Sequence, residues 1–409
     1  MARLLESQAL DLLRQAGLTV PRYEVAREPR EAEQAALRLG GPVVVKALVP
    51  AGKRGRAGGI LFAGDAGEAA RCAEKLLGTN LACYPVEQVL VEERLDVDRE
   101  LYLAFTIASG RQATAVIAGS AGGMDVEELS RLHPEKVRTI HVDPLDGLPD
   151  FAARQLWYDA GVGGSLLPQL GSLTARLHRL FVSLDAYILE VNPLVVTREG
   201  KAIPAAVLMG VDDAAVFRHS ELAGRVQPGM ERTWRPLTGL EKQVVAVNDA
   251  DPYRGTARYT EMEGGDIGFL CGGGGASLLL FDALRQAGGR PANYSEVGGN
   301  PTADKVYGIA RAILSKPGVR GLLVAHNITN NTQVDLVAEG VVRALDELGL
   351  DARSFPVVAR EAGVNEERAR RLFQDRGVEY YGDEITLAEA ARRIVARVRE
   401  CAGAGSEVG

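Results

Sequence analysis

Cysteine, aromatic side chains and net positive charge are all scarce in this sequence. Four cysteines occur in 409 residues, at Cys72, Cys83, Cys271 and Cys401. None forms a C-x-x-C pair or a Cys/His cluster at metal-ligand spacing, so there is no basis for a zinc or dithiol centre. Isolated reduced thiols fit a cytoplasmic protein. No apolar run reaches the ~20 residues that span a bilayer. The opening segment MARLLESQALDLLRQAGLTVP has helical spacing and acidic residues. A secretory leader would have a basic start and a small-residue cleavage site. A cytoplasmic chain without membrane association is expected. The formal net charge is −7, which does not support general attraction to nucleic acid or anionic lipid. No repeat of solenoid length is present.

What is present is an ordinary globular composition, 46% apolar and 25% charged. The length allows two or three domains. Leu5, Ala9, Leu12, Leu13 and Ala16 share a helical face that Gly17 and Pro21 end. Strand-like runs follow in GPVVVKAL, GILFA, QVLVEERLD, ELYLAFTIA, QATAVIAG and AYILEVNPLVVT, with a helix through Leu173, Leu177, Leu180, Phe181 and Leu184. The pattern loosens around 220–240, and a linker is expected over 236–262. From Gly265 strands alternate with helices, which argues for an open parallel sheet covered on both faces. The last helix carries a capping-box pair, Thr386 and Glu389. The tail 403–409 is expected to fray.

Several residues carry chemistry. Lys46 ends an apolar strand, as a solvent-facing end or as a phosphate contact, and position alone favours the former. GKRGRAGG follows, a glycine-rich basic loop whose N–H groups and arginines suit an anion. Glu92 and Glu100 lie near strand ends, where they can accept hydrogen bonds from a base or ribose or simply face water. Glu190 and Asn192, two apart on a strand, share a face. Their oxygens suit Mg²⁺ and equally fit a solvated polar surface. CGGGGAS, Cys271 to Ser277, opens a helix with more glycine than a tight turn needs, which favours an anion site at Gly272, Gly273, Gly274 and Gly275. The corner HNITNNT offers amides and hydroxyls, including Asn327, Asn330 and Thr332, that can hold carboxylate or hydroxyl oxygens, or water. Arg360 can pair with a carboxylate through two parallel hydrogen bonds.

Taken in order, these segments resemble the β subunit of succinyl-CoA synthetase, an ATP-grasp ligase. GPVVVKALVPAGKRGRAGG, VLVEERLDVDRELYL, GSAGGMDVEE, YILEVNPLVVT, GGRPANYSEVGGNPTADKV, AILSKPGVRGLLV and VDLVAEGVVRAL carry the resemblance, over about residues 3 to 400. It implies an α/β protein with an ATP-grasp nucleotide-binding domain of two subdomains over 1–235. A flavodoxin-like, doubly wound parallel-sheet domain is implied over 263–402. By the same match, Lys46, Arg54 and Gly55 contact ATP phosphates or line their site, Glu92 sits at the adenine hinge and Glu100 near the ribose. Asn192 is a magnesium ligand with Glu190 beside it. The family's second magnesium ligand is an aspartate, here Ala206, and a nearby lysine is Leu208. Asp212 or Asp213 compensates only if the backbone path differs.

The glycine turn at 272–275 is implied to face a phosphohistidine carried by an α partner, which also binds CoA, in an αβ or larger hetero-oligomer. His326 is read as structural or supporting. GGGAS, ANY, the proline after GGN and the N-x-T pattern resemble ATP-citrate lyase, as does Gly272 in place of an asparagine. Asn330 and Thr332 match residues that hold citrate there. A citrate-like or hydroxy-acid substrate is therefore expected, with Arg360 and the 327–332 segment holding it. The alternatives are a nucleotide- or carboxylate-binding paralogue with impaired ligase activity and, more remotely, a self-contained ligase.

Overall fold

The computed structural model describes residues 2–123, 131, 133–222, 224–226 and 235–404. The later part of GSAGGMDVEE, most of the segment expected to loosen before 235, and residues 405–409 of the expected tail lie outside the described residues. The chain divides into two compact units, Met1–Pro236 and Leu237–Gly409.

The first unit is built on two large antiparallel sheets, beside a short two-stranded pair, Asn80–Leu81 with Tyr84–Pro85. In the smaller of the large sheets, the strands run in the order Tyr23–Ala26, Val89–Glu93, Val43–Ala47, Ile60–Ala63. Val43, Val45, Val89 and Val91 pack on the alanine faces of the helices Pro29–Leu39 and Ala66–Leu76. Short side chains on those faces let helix and sheet approach closely. Asp65 caps the second helix by accepting from the Glu68 N–H at 2.7 Å. In the larger sheet the long strands Val97–Ala108 and Ala186–Thr197 pair centrally. The helices Glu6–Gln15, Asp150–Asp159 and Leu166–Ser183 cover its apolar face. Trp157 is fully buried there, its indole N–H donating to Thr174 Oγ1 at 2.8 Å.

In the second unit the parallel strands Ile267–Cys271, Gly321–Ala325, Val357–Arg360 and Glu379–Tyr381 are neighbours in that order. They are near-continuous apolar runs because both faces are covered. Phe269, Cys271, Leu323 and Val358 face the helices Gly274–Gln286 and Leu387–Ala404. Leu270, Leu322, Val324 and Val357 face the other layer, with Ala303–Leu314, Val334–Glu347 and Glu366–Gln374. A fifth strand, Asn293–Val297, runs parallel beside Ile267–Cys271 through the bridges Ile267–Pro291 and Gly272–Val297. Between those bridges the Asn293 side-chain amide bonds both the N–H and the carbonyl of Phe269, at 3.1 and 2.9 Å. In chain order the parallel strands therefore lie 2-1-3-4-5, the flavodoxin-like order.

One expectation changes. The segment 236–262 is no linker. Thr238 and Glu241 form a capping box that starts the helix Gly239–Ala250. The strand Ala257–Glu261 then pairs antiparallel with Asn293–Val297. Lys305, buried, donates its ammonium to the carbonyls of Asp251, Arg254 and Gly255, fixing the turn between helix and strand. At the other end, the last helix continues through Ala404, two residues into the expected tail.

Candidate functional site

In the first unit a cavity of about 500 Å³ opens beside the glycine-rich loop. Gly52, Arg54, Gly55 and Arg56 line one part of it, and Glu190, Asn192, Ala206 and Leu208 line another. The loop is held by Gly59 N donating to the Arg54 carbonyl at 2.8 Å. Glu190 lies opposite Leu208, and the Asn192 N–H donates to the Ala206 carbonyl at 3.0 Å. The two substituted positions are thus direct cross-strand neighbours of the expected metal ligands. Asp212 does not line the cavity; its carboxylate accepts from the Ala214 N–H at 3.0 Å. Asp213 does not line it either. Asn192 Oδ1 accepts from Gly123 N at 2.8 Å, and its amide lies 3.4 Å from Glu190 Oε1.

Lys46 and Glu92 do not line that cavity. Lys46 points inward, its ammonium 2.9 Å from both Glu92 oxygens, 3.2 Å from Glu6 Oε1 and 2.7 Å from the Ala205 carbonyl. Arg54 reaches the other Glu6 oxygen at 2.5 Å. Two cations and two carboxylates balance in a buried cluster, which is how such charges are tolerated. Burial opposes the charge on Glu6, but Arg54 and Lys46 outweigh it and hold the carboxyl below its ordinary range. Burial wins at Glu92, helped by repulsion from Glu6 and only partly countered by Lys46, and pushes it up to about 7. For Lys46 burial favours the neutral amine, yet Glu6 and Glu92 raise its pKa. Glu100 is exposed, close against Gly123, where a Cβ would come within 2.1 Å of its Oε2.

In the second unit the expected residues gather at the carboxyl edge of the parallel sheet. Gly273, with φ +80°, is the residue before the helix Gly274–Gln286. The N–H groups of the first helical turn, Gly274 to Ala276, have no acceptor within the helix. Glu296 lies beside Gly274, its charge balanced by Arg258 at 2.6 Å. Burial pushes the neighbouring Cys271 thiol up to about 12, so it stays protonated. Arg360 is buried, with Nε donating to the Ile385 carbonyl at 3.0 Å and Nη1 to the His326 carbonyl at 2.7 Å. These bonds engage two of its five N–H donors, and those on Nη2 are left for a carboxylate. The corner itself is a short ladder, Thr329–Gln333 against Gly363–Val364. Asn327 and Asn330 are exposed, whereas Thr332 is buried and accepts from the Asn300 N–H at 3.0 Å. Thr332 thus shapes the corner, and the exposed amides are the groups free to meet a ligand.

Two features escaped sequence reading. Glu6 lies on the apolar face of its helix, one turn before Leu10; a carboxylate in such a stripe calls for a buried cation. His326 and Glu361 are a buried pair 2.7 Å apart, each directly following a parallel strand. Their signal was the position after a strand end, shared by both.

Comparison with known proteins agrees with this architecture. A model of the ATP-grasp domain matches residues 3–196, and a model of the ATP citrate lyase citrate-binding region matches residues 237–394. The β subunit of ADP-forming succinate–CoA ligase from Rubrobacter xylanophilus is 35% identical over 398 residues, covering 97% of this chain and 99% of the relative. The β subunit of the GDP-forming enzyme from Thermus thermophilus is 36% identical over 394 residues, covering 96% and 98%. The chain belongs to the succinate–CoA ligase β-subunit family. Among solved structures, ATP citrate lyase from Methanothrix soehngenii shares the fold, with a TM-score of 0.77 at 21% identity over 98% of this chain and 99% of that one. Among the described residues no helix is long and apolar enough to cross a membrane.

Proposed function

We propose that the chain is the nucleotide-binding subunit of an ADP-forming carboxylate–CoA ligase, working with a separate α subunit that binds CoA and carries a phosphorylated histidine. The observation that carries this reading is the cavity in the first unit. A basic glycine loop and a pair of oxygen donors line the same space, as a nucleotide triphosphate and its cation require. Glu190 and Asn192 fit Mg²⁺, a hard cation that takes oxygen ligands: one side chain supplies a carboxylate and the other an amide oxygen, and both line the cavity. Such an ion would supply charge neutralisation to the phosphates. Ala206 offers no ligand atom, so the protein contributes these two side chains and the nucleotide and water supply the rest. Arg54 and the loop N–H groups orient the terminal phosphate. In the second unit the first turn of the helix from Gly274 steadies the phosphorylated histidine. The exposed Asn327 and Asn330, with the remaining N–H donors of Arg360, hold the acid. Phosphoryl transfer to the acid then gives an acyl phosphate, from which the CoA thiol displaces phosphate. Chain and partner act by positioning and charge complementarity. The amides beside Arg360 favour an acid with more oxygens than succinate, of citrate or hydroxy-acid type.

The test is ADP release by the chain with an α subunit, Mg²⁺ and CoA, across succinate, malate and citrate. Release that needs both acid and CoA supports the reading. A second reading rests on Ala206 and Leu208, which remove a carboxylate and an ammonium from the cavity wall. On that reading the chain binds nucleotide and acid but turns over none of the panel.

A further inference from the structure

Three residues form a row across the carboxyl edge of the parallel sheet. Cys271 pairs with Ala325, and Ala325 with Arg360. Gly272, His326 and Glu361 therefore leave three adjacent strands at one level. His326 Nδ1 lies 2.7 Å from Glu361 Oε1, and the two residues are only 3% and 0% exposed. On its other side the ring faces Gly272, where a Cβ would come within 1.9 Å of Cδ2 and 2.6 Å of Nε2. Gly272 is not among the glycines with positive φ. The imidazole, and not the backbone, requires glycine there.

The pair is incompletely satisfied. His326 Nε2 and Glu361 Oε2 are buried without a hydrogen-bond partner. Native folds rarely leave such atoms orphaned, because each loses its hydration for nothing in return. This one lies at a telling place. The strand order 2-1-3-4-5 reverses between Ile267–Cys271 and Gly321–Ala325, and open α/β sheets bind ligands outside the strand ends at that point. The helix from Gly274 begins there, and the exposed Asn327 follows His326 directly.

We propose that His326 is a ligand-binding residue: Glu361 fixes its Nδ1, and Nε2 donates to an anionic oxygen seated at the Gly272–Gly275 turn. This rests on the carboxylate–CoA ligase reading. Ligand entry opens the contact between ring and turn. The bound ring carries protons on both nitrogens, the second taken from solvent, and so lies as an imidazolium between the ligand and Glu361. Two other polar side chains bond this pair's backbone: Arg360 donates to the His326 carbonyl and Tyr380 to the Glu361 carbonyl. The oxygen belongs either to the acid's carboxylate or to a phosphoryl group.

The chain has five histidines, few enough to resolve by ¹⁵N-histidine labelling of the full-length protein, with His326→Gln to assign the ring. Succinate, citrate and inorganic phosphate are titrated separately, with calorimetry in parallel. The expected result is that the His326 Nε2 resonance moves to the proton-bearing range with one of these ligands while the other four rings stay still. A response to a carboxylate alone, or to phosphate alone, identifies the source of the oxygen. His326→Gln and Gly272→Ala, which evicts the ring while keeping it in the chain, each weaken that ligand about tenfold and leave nucleotide affinity unchanged. Binding seen by calorimetry with a stationary His326 resonance overturns the inference and leaves the ligase reading intact. Failure of all three ligands to bind also overturns it; the ligase reading is then decided by acid-dependent ADP release.

Discussion

Glu92 shows how far a residue's role depends on what the fold places around it. In the sequence it is a carboxylate near a strand end; in the fold it shares a buried lysine with Glu6. A carboxyl raised from 4.5 to about 7 binds its proton more tightly when folded. Its contribution to stability is therefore full below about pH 4.5 and is lost as pH rises through 7. Glu6 acts oppositely: its lowered pKa contributes stability above 4.5 that is lost as pH falls below that value. Glu92→Gln should remove the fall in Tm between pH 4.5 and 7 that the wild type shows from this group. Parallel pH profiles of the two proteins would contradict the assignment. Arg360→Lys keeps the charge but loses the planar fork. It should raise the acid KM roughly tenfold to a hundredfold, with the nucleotide KM within about twofold; an effect on nucleotide alone would exclude Arg360 from acid binding. Asn330→Gly, at an exposed amide, should shift the citrate-to-succinate ratio of kcat/KM toward succinate by roughly threefold to tenfold, and an unchanged ratio would remove Asn330 from the specificity. Arg54, Gly55, Glu190 and Asn192 line one cavity; residue type and spacing left each of them open between ligand contact and solvated surface, and only the family resemblance put the loop and the oxygen pair at one site. The inward turn of Lys46 was not legible, since it depends on Glu6, forty residues away.

At the scale of elements, the parallel strands were legible because burial on both faces makes them unbroken apolar runs. The helix Gly239–Ala250 was not. Its apolar residues are bunched at 244–247 instead of spaced three and four apart, and its start is written in the capping pair Thr238 and Glu241, which lies among residues that resemble a linker. That pair matters, because Glu241 also accepts from the Glu261 N–H at 2.9 Å and ties the helix to the next strand. Thr238→Ala should lower the stability of the second unit by about 1 kcal/mol without changing nucleotide affinity. An unchanged denaturation midpoint would mean that the cap contributes nothing. The glycine turn shows a different limit. The run of glycines favoured an anion site in the sequence, whereas in the fold the reason for glycine at 272 is the imidazole of a residue two strands later in the chain. Only the parallel register brings them together.

At the scale of the molecule, one chain carries the cavity proposed for nucleotide in Met1–Pro236 and the sheet edge proposed for the acid in Leu237–Gly409. At the second of these, His326 is held in a buried pair with Glu361 at a strand end. The proposed reading assigns the travelling phosphoryl group to a histidine on another protein. The most direct test incubates the chain and an α subunit with γ-³²P-labelled ATP and Mg²⁺, then follows the label. The account predicts acid-labile label on the α subunit only, discharged on adding the acid and CoA and abolished by Arg54→Ala in this chain. Label on this chain itself, or none on either protein despite bound nucleotide, would contradict it.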